Sequence, residues 1–197
     1  AIRVFPGRPP EEGPAHAALH LARCAAAAGL PVDPEGCVAA AGEAPLLETG
    51  CGERAGLVVH PGSGGSHKNL SPGFWRVFID RLRTETEVTL LLGPAEEGLR
   101  PRFQDGEGFG VVVSPDTEAL LPLLGRAACC VGHDSGISHL AAMLGTPTVA
   151  LFRGSNPAVW RPLGPQVGVI EARVEGGGLP GRVVETAREV LRTGRMP

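Results

Sequence analysis

From about residue 55 onward, short apolar runs alternate with longer amphipathic stretches, and this rhythm leaves few architectures open to the chain. Residues 56–60 predict a buried strand. After a Gly-rich loop over 61–69, a helix is expected at about 71–84, where Phe74, Val77, Phe78 and Leu82 recur at helical spacing. Ser71 is suited to cap that helix and Pro72 to its first turn. Further strands are predicted at 88–92, 111–113, 128–131, 148–152 and 167–170. Further helices are predicted at 117–126, at 135–144 with Gly145 closing it, and at about 180–192, where Val183, Val184, Ala187, Val190 and Leu191 share one side. Short apolar strands joined by helices require right-handed crossovers and a mostly parallel sheet covered on both faces. The fold class expected for residues 55–197 is therefore α/β, a doubly wound Rossmann-like domain. Ligands of such sheets bind beyond the carboxyl ends of the strands, so the loops after strands one, two, four and five matter most.

Residues 1–54 lack this rhythm. A stray strand is expected at 2–5, an Ala-rich helix at 14–29 and a mostly irregular stretch at 31–52, which together read as an N-terminal remnant or interdomain linker with one helix. The 197 residues suffice for one well-buried domain plus such an appendage. The chain opens at Ala1 with no secretory signal, and its true N-terminus is expected to lie upstream.

Composition narrows the function classes. A formal charge of −3 argues against nucleic acid as a partner. No apolar run approaches the ~18 residues a membrane-spanning helix needs. The five cysteines are odd in number and none pairs at zinc half-site spacing, so neither a disulfide scaffold nor a zinc centre is expected, and a reducing compartment suits them. Cys129 and Cys130 read as small hydrophobes in a buried strand. His16, His20 and Cys24 fall at i, i+4 and i+8 on one helix face, but no carboxylate joins them; no metal and no cofactor are expected. Of the 18 basic residues, 17 are Arg, and Lys68 is the only Lys. A compact ammonium among several ligand oxygens is a role that a planar guanidinium fills poorly.

Two loops carry the chemistry. His60-Pro61-Gly62-Ser63-Gly64-Gly65-Ser66-His67-Lys68 follows a strand and precedes a helix; its glycines let backbone N–H groups approach an anion, Ser63 and Ser66 offer hydroxyls, and Lys68 supplies countercharge. It is not a Walker loop, and a plain flexible βα turn is the alternative. Gly132-His133-Asp134-Ser135-Gly136-Ile137-Ser138-His139 lies at another strand end, where Asp134 or Ser135 can cap the following helix and the first-turn amides face a ribose or phosphate. Asp-Ser-Gly also occurs in trypsin-like proteases, but those are double β-barrels, and the hydrolase Gly-x-Ser-x-Gly elbow is not matched.

These two loops, the strand end Leu92-Gly93-Pro94-Ala95-Glu96 and the run from Asp134 to Phe152, followed by Gly154-Ser155-Asn156-Pro157, Trp160 and Pro162, resemble the C-terminal half of glycosyltransferase family 9, the ADP-heptose:lipopolysaccharide heptosyltransferases, over about residues 56–170. The resemblance implies a GT-B enzyme whose C-terminal Rossmann-like domain binds a nucleotide-sugar donor, with ADP-heptose expected, while an N-terminal domain receives a lipopolysaccharide core acceptor. It implies inverting transfer, with a cytoplasmic location, peripheral at the inner membrane. By motif, Gly62, Ser63 and Lys68 would hold the diphosphate. Asp134, Ser135, Gly136, Ile137 and His139 would surround phosphates and sugar, and Glu96 would contact the nucleoside, with Glu97 its rival. Catalytic roles would fall to Lys68 and Asp134. The acceptor-side base would sit in the N-terminal domain, which is missing here, so the chain is expected to be a fragment or shortened homologue that transfers sugar weakly if at all. It departs from the family pattern at Asn69-Leu70, where a Trp is usual, at His133, usually Asn, and at Arg153, usually small. The readings kept beside this one are a non-catalytic nucleotide-sugar binding module and a transferase using another nucleotide sugar, such as a UDP-hexose.

Overall fold

The computed structural model describes residues 7–9, 15–48, 52–103, 108–176 and 178–197. Strands β1 (Leu57–His60), β2 (Val88–Leu92), β3 (Gly110–Val113), β4 (Cys129–His133), β5 (Thr148–Phe152) and β6 (Val167–Glu171) form one sheet in the order β3-β2-β1-β4-β5-β6. Every neighbouring pair is parallel. The winding direction reverses between β1 and β4, where His60 pairs with Gly132 at the carboxyl end. Such a reversal opens a crevice between the loops that leave the two strands.

Alternation along the strands sorts side chains into two cores. Leu57 and Val59, Leu90 and Leu92, and Cys129 and Val131 face α3 (Pro72–Leu82) and α7 (Leu179–Thr193). Val58, Leu91 and Cys130 face Leu124 of α4 (Thr117–Gly125) and Ala141 of α5 (Gly136–Met143). Ser71 caps α3 by accepting the Phe74 N–H at 3.1 Å, with Pro72 in the first turn. Phe74, Trp75, Phe78, Ile79 and Leu82 are buried from that helix, which at 1.5–3 kcal/mol per large side chain supplies roughly 10 kcal/mol of transfer free energy before entropy is counted. Val77, expected on the same face, is 43% exposed, because the buried stripe centres on Trp75, Phe78 and Leu82 and leaves residue 77 on its flank. Gly145 closes α5 with φ 69°, and a Cβ there would meet Pro45 Cγ at 2.6 Å, so both conformation and space require glycine.

The N-terminal segment corrects one expectation. Instead of an irregular 31–52, the chain forms α2 (Pro34–Glu43) after α1 (Ala17–Ala27), with Asp33 before the helix and Pro34 in its first turn. No residue of α1 is buried and only Ala41 of α2 is, so this pair lies outside both cores. The Leu46 and Leu47 amides tie it to the sheet domain by donating to Met143 O at 2.8 and 3.0 Å. The strand expected at 2–5 and Cys51 lie outside the described residues. A 3-10 stretch at Pro94–Arg102 and the short α6 (Pro157–Trp160) lie where no helix or strand is predicted.

Candidate functional site

The loop after β1 runs under the start of α3 and contains one 3-10 turn, Ser66–Lys68, closed by Lys68 N donating to Gly65 O at 3.0 Å. Ser63 is buried, and its hydroxyl lies 2.9 Å from Gly65 O and 2.6 Å from Asn69 Oδ1 while accepting the Gly65 N–H. That hydroxyl folds the loop on itself rather than facing outward. Gly62 is a close approach: a Cβ there would fall 2.0 Å from Glu96 Cδ. Glu96 is itself buried, its Oε2 accepting the Gly93 N–H at 3.1 Å, whereas Glu97 is exposed. The two loops after β1 and β2 are thus stacked through Gly62 and Glu96.

Across the crevice, Ser135 is the cap of α5, its Oγ 3.5 Å from the Ser138 N–H. Asp134 is thereby released from capping, and its own N–H donates to Leu151 O at 3.2 Å. Its carboxylate collects three groups: Ser155 Oγ donates at 2.5 Å, Lys68 Nζ lies 3.5 Å from Oδ2, and His139 Nε2 lies 3.6 Å from Oδ1. Partial burial is the largest single influence on this carboxyl and would raise its pKa. Hydrogen bonds from His139 and Ser155, with the charge of Lys68, together outweigh it and hold the carboxyl below its ordinary value. Ser155 was not among the expected site residues; its position just past the carboxyl end of β5 was the available signal.

Gly64, Lys68, Asp134, Ser135, Gly136 and His139 line one cleft of about 380 Å³, together with Arg8 and Trp160. The structure therefore brings Lys68, Asp134, Ser135, Gly136 and His139 together. Gly62, Ser63 and Glu96 support the loop beside them, and Ile137 packs its side chain into the second core. Larger hollows exist: one of about 610 Å³ against α7 and one of about 480 Å³ near Arg54 and Arg188 lie away from the loops at the strand carboxyl ends, and one of about 460 Å³ over Arg153, Gly154, Ser155, Asn156 and Arg173 lies beyond the carboxyl ends of β5 and β6, beside the Asp134 cleft through Ser155. Among the described residues, no three His, Cys, Asp or Glu side chains are grouped to hold a metal. His16 caps α1 through Nδ1 and donates from Nε2 to Arg161 O at 2.8 Å, away from His20 and Cys24, which pair at 3.7 Å.

Beneath the cleft lie two buried histidines. His60 Nδ1 donates to Leu91 O at 2.9 Å, and burial pulls its pKa down. His133 is 1% exposed, sits edge-on to Trp75 at 5.1 Å, and accepts the Leu70 N–H at Nε2 at 2.9 Å. Burial first, then nearby His60, lower its pKa to about 4. Arg153, at the end of β5, donates to Asn69 O at 2.7 Å and pairs with Glu175, which in turn accepts the Ser71 N–H at 3.0 Å.

The model of glycosyltransferase family 9 (heptosyltransferase) matches residues 24–177. Lipopolysaccharide heptosyltransferase 1 of Pseudomonas aeruginosa is 33% identical over 93 residues, which cover 46% of this chain and 26% of that protein. The structure of E. coli heptosyltransferase WaaC with ADP superposes with a TM-score of 0.61 at 22% identity, covering 70% of this chain and 44% of that one. E. coli ADP-heptose lps heptosyltransferase II gives 0.63 at 23% identity, covering 71% and 47%. These structural likenesses concern the Rossmann-like fold. The chain spans about a quarter of the curated relative and less than half of either solved structure.

Proposed function

The chain belongs to glycosyltransferase family 9, and from that premise we propose that its switch-point cleft is the donor site of a sugar transferase, binding the diphosphate of a nucleotide sugar, with ADP-heptose the donor. The observation that carries this reading is the meeting of Lys68, Asp134 and His139 over the first turn of α5. Lys68 is a mobile point charge able to leave Asp134 for a phosphate, and the unpaired amides at the start of α5 add partial positive charge on the same side. The ADP of one solved relative and the ADP-heptose in the name of the other support an adenosine diphosphate donor.

In this reading the acceptor hydroxyl attacks the anomeric carbon from the face opposite the diphosphate. The new C–O bond forms as the bond to the β-phosphate oxygen breaks, and the electron pair stays with the departing ADP. Lys68 and the α5 amides stabilise that charge as it develops, and Asp134 orients Lys68 and His139. The acceptor, a lipopolysaccharide core, and the base that takes its proton belong to a second half, corresponding to the portion of the relatives that this chain does not span. Residues 55–197 form the donor domain and residues before 55 the connection to that half. The reaction is placed at the cytoplasmic face of the inner membrane, with peripheral association. No helix among the described residues is long and apolar enough to cross a membrane.

Calorimetry with ADP, UDP and GDP at matched salt tests the reading. ADP is expected to bind in preference, and Lys68→Ala to weaken it by roughly 1–3 kcal/mol, the scale of a lost charge-assisted hydrogen bond. A folded chain that binds none of the three overturns it.

A further inference from the structure

The exit of the loop over residues 61–70 meets the ends of β4 and β5 in space. Leu70 N–H donates to His133 Nε2, Arg153 donates to Asn69 O, and Asn69 Oδ1 accepts from Ser63. A backbone N–H can only donate, so Nε2 must offer its lone pair, and the neutral ring carries its proton on Nδ1. That Nδ1 is buried with no hydrogen-bond partner at good geometry among the described residues, and the carbonyls of Pro61 and Gly62 lie beside the ring. Trp75 occupies the edge-on position against the same ring. Nε2 of His133 is therefore turned toward the exit of the loop over residues 61–70, and the ring itself lies beside the carbonyls of its entrance.

We propose that His133 is the positioning residue of this loop, spanning its two ends from the tip of β4, with Arg153 fixing the exit from the outer side through Asn69. The proposal rests on the reading of the loop as a diphosphate cradle. A loop with three glycines in ten residues has many conformations to lose, and an anion arriving at a floppy loop must bear that ordering itself. Fixing Leu70 to His133 and Asn69 to Arg153 removes most of that freedom before any ligand arrives, which is preorganisation of the site. His133, at 1% exposed, touches no ligand and acts only through the loop.

The test compares the full chain with His133→Gln, His133→Phe and Arg153→Ala by residue-resolved amide exchange without ligand and by ADP calorimetry. A Gln side chain carries its Oε1 out to the distance of the histidine Nε2 and can accept from Leu70; Phe fills the space and cannot. In His133→Phe the Leu70 amide should exchange at least about tenfold faster and ADP should bind about tenfold more weakly, while His133→Gln stays within about threefold of wild type even where its melting temperature falls as far. Arg153→Ala, which leaves the core intact, should weaken ADP by about threefold or more. Unchanged Leu70 exchange in His133→Phe overturns the proposal, as do ADP affinities that follow melting temperature alike in both His133 variants. If the Phe variant does not fold, full ADP affinity in Arg153→Ala overturns it. A wild-type chain that binds no ADP defeats the diphosphate reading instead, and the exchange data still decide the role of His133.

Discussion

Lys68 Nζ and Asp134 Oδ2 lie 3.5 Å apart across the switch point, so the single lysine of the chain reaches from the β1 loop to the tip of β4. The pair is partly exposed, and its worth to stability is small. Its value is geometric: it parks a point charge where a diphosphate would displace the carboxylate as partner. Lys68→Arg keeps the charge but exchanges a compact ammonium for a planar fork with different reach. We expect it to recover only part of the ADP affinity lost in Lys68→Ala, remaining about 1 kcal/mol short of wild type. Calorimetry on the two variants checks this; an Arg variant equal to wild type would show that net charge alone matters.

The stacking of Gly62 against Glu96 predicts a coupling. A Cβ at residue 62 would collide with the Glu96 carboxyl group, and Glu96 cannot swing away without releasing the Gly93 N–H that it caps. Gly62→Ala should therefore destabilise by about 1–3 kcal/mol, the range for overpacking a buried site. Glu96→Ala removes both the cap and the obstacle. Urea denaturation of the double variant should show less destabilisation than the sum of the singles, by about 1 kcal/mol. Strict additivity would mean that the two side chains do not compete for the same space.

Much of this arrangement was legible in the sequence because it is local. A run such as Val88 to Leu92 announces a buried strand by itself, and Ser71-Pro72 announces a helix start from two residues. The site loops were equally visible, since each follows a strand and opens a helix. What escaped was decided by register. Glu96 over Gly62, Ser155 on Asp134 and Leu70 on His133 are contacts between residues 21 to 63 positions apart, created only when β1, β2, β4 and β5 align. The helix α2 escaped for another reason: with Ala41 alone buried, it has no apolar face to betray a period.

The cysteines give a prediction independent of the site. Cys129 and Cys130 lie inside the sheet; burial pushes Cys130 up to about 12 and Cys129 well above its ordinary value, so neither offers a thiolate near neutral pH. Cys37 is exposed. Peptide mapping after brief alkylation should find Cys37 modified and the Cys129–Cys130 pair untouched, with the pair reacting only as denaturant unfolds the sheet. Modification of Cys130 in the native chain would contradict the packing of β4.

The last prediction concerns acid. His133 has a pKa of about 4 in the fold and an ordinary value of 6.5 when unfolded. Between these values the unfolded chain binds the proton that the folded chain refuses, so stability rises with pH through this window and is lost as pH falls through it. The gap allows at most about 3 kcal/mol from this group. Burial decides the direction; His60 and Arg153 also disfavour a charged ring, and the Pro61 and Gly62 carbonyls only partly offset them. His60, also depressed by burial, adds loss of the same sign, and Asp134, held below its ordinary 3.8, adds a further loss only at more acid pH. Unfolding free energies measured from pH 7 to pH 4 should fall steadily in wild type. In His133→Asn, whose side chain cannot titrate, the slope should be shallower by the His133 share, although the absolute stability at pH 7 is lower. Equal slopes in the two proteins would mean that His133 is not the buried neutral ring that joins β4 to the loop.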